Sequence, residues 1–234
     1  MAFTVAIDGP AGAGKSTVAR KAAIALGFTY IDTGAMYRTI ALQVLEQGMD
    51  PEEAEAVTQV AQQSQIVLSP LDTDGNQTVF VRGRDVTKEI RTPEVSQMTS
   101  RISATPQVRT VMVELQRSIS RESPYGVVLE GRDIGTVVFP HADVKVFLTA
   151  SAEERAQRRY HELLGKGVEI RFETVLAEQI ERDQRDSQRV ASPLKIAEDS
   201  HYLMTDGLSI EQVVEQIIAL CVEKGYRAEG SMSS

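Results

Sequence analysis

The chain has almost no cysteine. Cys221 is the only one in 234 residues, so no disulfide within the chain and no cysteine metal site can form. Its position on an apolar helical stripe puts it in the core. Histidine is scarce as well: His141, His161 and His201 show no metal-ligand spacing and are given no functional role. An excess of positive charge is also missing. Against 33 Asp and Glu stand 25 Lys and Arg, a net charge of −8, which argues against a general nucleic-acid surface. Asparagine occurs once, at Asn76, with Gln77 after it. The Asn-Lys-x-Asp motif that reads guanine therefore cannot form, and GTPases in their ordinary form are excluded. There is no repeat, low-complexity linker, signal segment or membrane-length apolar run. The expectation is a cytoplasmic monomer with neither membrane nor nucleic acid as partner. A hydrophobic fraction of 42% still supports a sizeable core, and the length suits one α/β unit with insertions.

What is present begins with Gly9-Pro10-Ala11-Gly12-Ala13-Gly14-Lys15-Ser16, which fits G-x-x-x-x-G-K-[ST]. Thr4-Val5-Ala6-Ile7 before it reads as a buried parallel strand. From Thr17 to Leu26 small and apolar residues recur at helical spacing, with Gly27 as the stop. Strand, glycine loop and helix thus follow in the order a phosphate cradle needs: inward backbone N–H groups and the positive end of a helix dipole. Lys15 supplies a mobile cation for the outer phosphates, and the Ser16 hydroxyl is a candidate Mg²⁺ ligand. Residues Gly9 to Thr17 are the candidate triphosphate site.

Further along, Thr29–Asp32 reads as a strand and Ala35–Gln47 as a helix, and Asp50-Pro51-Glu52-Glu53 reads as the start of another ending near Ser64. Gln65–Leu68 and Thr78–Val81 flank Asp74-Gly75-Asn76 as a hairpin, which predicts an inserted β subdomain over about 64–92. Thr92-Pro93 and Thr105-Pro106 announce two helices, the second striped with Val108, Val111, Met112, Leu115 and Ile119. Gly126–Glu130, Val144–Leu148 and His201–Met204 complete the strands, with helices near 151–164, 173–186 and from Ser209 onward. Five parallel strands alternating with helices predict a doubly wound sheet over residues 1–227, a single unit. The stretch from Tyr226, and 228–234 above all, reads as a frayed tail.

Arginine is the other conspicuous feature. Arg155, Arg158 and Arg159 share one helix face, as do Arg182, Arg185 and Arg189 if that helix persists. Flanking Gly165-Lys166-Gly167, they suit either a solvated surface or a lid over about 153–186 that closes on triphosphate. The loop alone leaves kinases, motors and ATP-driven switches open, with Val127-Val128-Leu129-Glu130 a loose match to the acidic strand of a motor.

Four segments narrow the choice. Ile7-Asp8-Gly9-Pro10 into the loop, Asp32–Arg38, Gly131-Arg132-Asp133 through Val137-Val138-Phe139-Pro140, and Glu181–Asp186 closely resemble the bacterial cytidylate kinases, over about 3–224. The resemblance implies a small P-loop kinase that moves the γ-phosphoryl group of ATP, with Mg²⁺, to CMP or dCMP. By matching positions it implies Lys15, Arg132, Arg158 and Arg182 as catalytic groups. It implies Tyr37, Arg38 and Arg132 at the acceptor phosphate, with Thr33 in the same segment. Arg182 and Arg189 are implied at phosphate or ribose, Asp186 at ribose hydroxyls, and Ser100, Asp133 and Arg109 at the base. Another small P-loop kinase with a different acceptor, or a switch, remains the alternative.

Overall fold

The computed structural model describes residues 2–165 and 167–227. Five apolar runs form the central strands: β1 (Phe3–Asp8), β2 (Thr29–Asp32), β6 (Gly126–Gly131), β7 (Val144–Thr149) and β8 (His201–Met204). They pair in the order β2-β6-β1-β7-β8, every pair parallel. Alternation along the strands feeds two cores. Val5, Ile7 and Val128 face α1 (Lys15–Leu26) and α8 (Ile210–Glu223), meeting Val18, Ala22, Val213 and Ile217. Ala6, Ile31 and Leu129 point the other way, toward Met36, Ile40 and Val44 of α2 (Thr33–Glu46) and Met112 of α5 (Pro106–Arg121). Burying both faces is what makes β1, β6 and β7 largely apolar rather than alternating with polar residues, while the edge strand β8 is mostly exposed. It is the doubly wound α/β sheet expected, and its strand order reverses direction around β1, where ligands of such sheets bind.

The second sheet is antiparallel: β3 (Ile66–Leu68), β4 (Val79–Val81) and β5 (Arg84–Asp85), with Ile66 opposite Val81. The hairpin is as read from sequence. The third strand is an addition, because two exposed residues after a turn at Arg82 and Gly83 carry no apolar signal. Ile66, Val79, Val81, Val86 and Ile90 join the α2 core, and the buried Gln77 amide donates to Tyr30 O and Ser69 O, each at 3.0 Å.

Three local expectations need correction. Helix α3 (Ala54–Gln63) starts a turn after Asp50-Pro51, since Asp50 Oδ1 accepts from Glu52 N at 3.0 Å and holds a turn there instead. Tyr226 is packed, not frayed: its hydroxyl donates to Leu26 O at 2.6 Å and its ring meets Phe3 and Phe28. Helix α7 (Phe172–Gln188) ends before Arg189, which turns extended, so Arg182, Arg185 and Arg189 share no continuous face. By contrast α4 (Pro93–Ile102), α6 (Ala152–Gly165) and the Ser209–Gln212 capping box lie as read, and Cys221 is fully buried. Lys166 and 228–234 lie outside the described residues. Among the described residues no helix is long and apolar enough to cross a membrane.

Candidate active site

The phosphate loop leaves β1 at Gly9 and enters α1 at Lys15. Gly9 has φ of 150°, and a Cβ there would stand 1.9 Å from Leu148 O, so no side chain fits where the loop passes β7. Gly14 caps α1 at φ 87°. The Lys15 side chain turns back under the loop and donates to Pro10 O at 2.6 Å. Burial, with Arg132 next to it, lowers its pKa to about 7. Ser16, in the first turn of α1, is exposed and shares a narrow cleft with Asp32 and Arg91.

Three adjacent strands end in carboxylates: Asp32 on β2, Glu130 on β6 and Asp8 on β1. Asp32 Oδ1 accepts from Ala35 N at 2.8 Å and so caps α2, while burial and the charge of Glu130 raise its pKa to about 6. Tyr30 donates to Glu130 at 2.7 Å inside the sheet. Asp8 accepts from Ile134 N and Gly135 N. None of the three was assigned a site role from sequence. The signal available was an acid at the end of a buried apolar strand, which for Asp32 opens the Asp32–Arg38 segment and for Asp8 lies just before the phosphate loop.

Beyond β6 the chain turns through Arg132 and Asp133. Asp133, 5% exposed, forms an ion pair with Arg109 of α5, and Arg189 approaches it at 3.9 Å. Arg109 also donates to Ser103 O at 3.0 Å and lies 5.4 Å from the centre of the Tyr37 ring. Burial pushes the Tyr37 phenol up to about 12, so it stays protonated. Two donors here are unspent: among the described residues Arg109 Nε and Arg189 Nη2 are buried without a hydrogen-bond partner. Arg132 Nε donates to Asp186 of α7 at 2.8 Å. Burial alone would raise Asp186, but Arg132 and then Arg182 and Arg189 hold it below the usual carboxylate range. Arg38 donates to Ser96 Oγ at 2.7 Å and Ile90 O at 3.2 Å. Ser100 lies 3.5 Å from Arg185 Nη1. Thr33 is buried, its hydroxyl donating to Glu130 O at 2.6 Å.

The arginines of α6 and α7 divide. Arg155 points inward, 5% exposed, donating to Ala150 O, to Ala11 O of the phosphate loop at 3.1 Å and to Asp183 of α7 at 2.6 Å. It is a strut joining α6 to the phosphate loop and α7, a role its sequence spacing concealed. Arg158 is half-exposed and tied to Glu154 at 3.1 Å, with Nη1 3.8 Å from where a Gly14 Cβ would stand. Arg159 pairs outward with Glu162. Arg182 has no ion pair among the described residues; burial, with Arg132 beside it, lowers its pKa to about 10. Lys15, Arg38, Arg182 and Arg189 thus all lie within electrostatic reach of Arg132, with Arg158 at the loop.

A phosphate loop at the reversal point of a parallel sheet, faced by cations from separate segments, defines a P-loop phosphotransferase. The chain belongs to the cytidylate kinase family, whose sequence profile matches residues 5–223. It is 49% identical over 220 residues to the cytidylate kinase of Carboxydothermus hydrogenoformans, covering 94% of this chain and 97% of that one. To the cytidylate kinase of Caldanaerobacter subterraneus subsp. tengcongensis it is 53% identical over 213 residues, covering 91% and 92%. Among solved structures, an uncharacterized protein from Eubacterium ventriosum superposes with a TM-score of 0.51 at 11% identity, covering 95% of this chain and 99% of that one, a likeness of fold alone. The enzyme is a nucleoside-monophosphate kinase.

Proposed function

We propose that this kinase transfers the γ-phosphoryl group of ATP to CMP or dCMP, yielding ADP and CDP or dCDP. The observation that carries the choice of acceptor is the Asp133 carboxylate, buried between Arg109 and Arg189 at the turn after β6. A carboxylate only accepts hydrogen bonds, which suits the exocyclic amine of cytosine. The unspent donors on Arg109 and Arg189 suit acceptors such as the cytosine ring edge and the ribose or phosphate oxygens beside it. Ser100 is the second acceptor for the amine, and Asp186 the acceptor for ribose hydroxyls.

On the donor side, residues Gly9 to Thr17 hold the ATP phosphates and Lys15 follows the transferring group. The exposed Ser16 hydroxyl, sharing its cleft with the Asp32 carboxylate, is an oxygen donor set of the kind Mg²⁺ takes while keeping waters and phosphate oxygens. When bound, the ion neutralises charge on the outer phosphates. Tyr37, Arg38 and Arg132 hold the acceptor phosphate, while Arg132, Arg158 and Arg182 stabilise transition-state charge. The nucleophile is a phosphate oxygen already ionised at neutral pH, so positioning and charge neutralisation suffice without a general base. The unit divides into a core, an acceptor insert at about 64–92 and a lid at about 153–186. Measuring ADP release with CMP, dCMP, UMP, AMP and no acceptor tests the assignment: turnover should be fastest with the cytidine nucleotides and negligible without an acceptor. A preference for AMP, or acceptor-independent hydrolysis, would overturn it.

Two further results are expected. Burial holds Lys15 near 7 in the free protein, and a triphosphate beside it raises that value. Binding of MgATP at pH 8, where Asp8 and Asp32 with pKa values of about 6 stay ionised, should therefore take up close to one proton through Lys15. Calorimetry in two buffers of different ionisation enthalpy measures this; an uptake that survives Lys15→Ala contradicts it. The lid arginines should separate in the same way that they divide in space. Arg158→Ala should lower turnover while changing stability by only about 0–1 kcal/mol, as for an exposed pair. Arg155→Ala, which strands a partly buried Asp183, should cost about 3 kcal/mol of stability. Denaturant melts of both variants beside their turnover decide it, and a destabilised Arg158→Ala with normal turnover would return that arginine to the surface.

A further inference from the structure

The roles assigned above leave the Asp8 carboxylate unused. It closes β1 one residue before the phosphate loop and is 6% exposed. Its backbone pairs with Gly131 in the β1–β6 ladder. Its side chain reaches past that pairing in a forked contact, Oδ1 accepting from Ile134 N at 2.8 Å and Oδ2 from Gly135 N at 2.7 Å. Those amides open the short π-helical turn Ile134–Val138. Gly135 packs beside the carboxylate: a Cβ there would stand 3.4 Å from Asp8 Oδ2 and 3.2 Å from the flexible Lys145 Cδ. Residues 131 and 134–135 are thus both fastened to Asp8, and the two between them are Arg132 and Asp133. On the other side Asp8 lies within electrostatic reach of Lys15. Burial raises its pKa to about 6 while the two amides pull it back down, so at neutral pH it is the ionised acceptor both amides require.

We propose that Asp8 is a positioning residue for phosphoryl transfer, a clamp that sets the acceptor-binding turn carrying Arg132 and Asp133 in register with the phosphate loop. The clamp acts through main chain and touches neither nucleotide. It rests on the reading that this turn holds the acceptor. The consequence is kinetic. In-line transfer needs donor and acceptor phosphates aligned, and a displacement of about 1 Å can cost about 10²-fold in rate. Loosening the turn should spoil that alignment while leaving the loop's own backbone cradle in place.

Asp8→Asn tests this, because the shape is kept but the amide nitrogen faces an N–H donor-to-donor. The expected result is kcat lower by about 10²-fold and a raised KM for CMP, with the dissociation constant for MgATP changed by no more than about twofold. Hydrogen exchange at the Ile134 and Gly135 amides should accelerate in the same variant. An unchanged kcat and KM for CMP would overturn the proposal. So would a loss of MgATP affinity equal to the loss at the acceptor, which would make Asp8 a general support of the site. Should Asp8→Asn fail to fold, Asp8→Glu decides. It keeps the charge but moves the carboxylate by one methylene, so the forked contact to Ile134 N and Gly135 N cannot be held in register. The acceptor KM should rise with MgATP binding intact, and an unaltered acceptor KM refutes the clamp. The parent's acceptor panel separates this from the assignment of CMP: a parent that prefers another acceptor refutes that assignment, and the same comparisons are then run with the preferred acceptor.

Discussion

Replacing Lys15 with alanine is expected to lower kcat by about 10³–10⁵-fold, the loss seen when a comparable transition-state cation is removed. MgATP affinity should fall far less. The separation follows from where the side chain sits. In the free protein Lys15 is buried and bonded to Pro10 O within its own loop, and the backbone N–H groups and the α1 terminus provide ground-state phosphate binding without it. Its cation matters most as charge moves from the γ-phosphate toward the leaving oxygen. Removing it relieves its close neighbours Arg132 and Arg182 of a like charge while withdrawing a counter-charge from Glu130 and Asp8, so rates are read well below the melting temperature of the variant. Single-turnover rates beside equilibrium MgATP binding check it. Activity within tenfold of the parent would mean that Lys15 has been given the wrong role.

The second large effect concerns the base. Asp133→Asn should lower kcat/KM for CMP and narrow the gap between CMP and UMP, because the amide offers a donor to the uracil carbonyl that a carboxylate repels. A site built around a required hydrogen bond can reject an analogue lacking it by about 10⁴-fold, and the contribution of Ser100 should make the parent ratio smaller. Asp133 is also the buried counter-charge of Arg109. The same substitution should therefore cost up to about 3 kcal/mol of stability, and absolute rates alone would mislead. The ratio of the two acceptors in parent and variant, taken well below the melting temperature, isolates base reading. An unchanged ratio would remove Asp133 from that role.

These two residues also mark how far the sequence could be read. Lys15 was legible because the phosphate loop is local: strand, glycines, lysine and helix lie within one short stretch and each announces itself. The inner strands β1, β6 and β7 were legible for a related reason, since strands buried on both faces must be largely apolar. Asp133 was reachable only through resemblance. Its partners Arg109 and Arg189 lie 24 and 56 positions away, and spacing along a chain says nothing about what a turn folds back upon. Arg155 shows the opposite error. On a helical wheel it sits with Arg158 and Arg159, yet tertiary contacts with Ala11 O and Asp183 draw it inward. Helix ends failed where competing turns won, at Asp50-Pro51 and at Arg189. Strand β5 failed because backbone pairing, not hydrophobicity, makes it. Asp8 was visible in its motif but mute, because its role lies in two amides more than 120 positions away.

The central claim is that charge gathered around this cleft moves a phosphoryl group from ATP to a cytidine monophosphate. Phosphorus NMR of the protein with ATP, Mg²⁺ and CMP tests it most directly, because it follows where the phosphorus goes. The account predicts β-phosphate resonances of both ADP and CDP growing in equal amounts, with no inorganic phosphate. Inorganic phosphate and ADP accumulating beside unchanged CMP would contradict it.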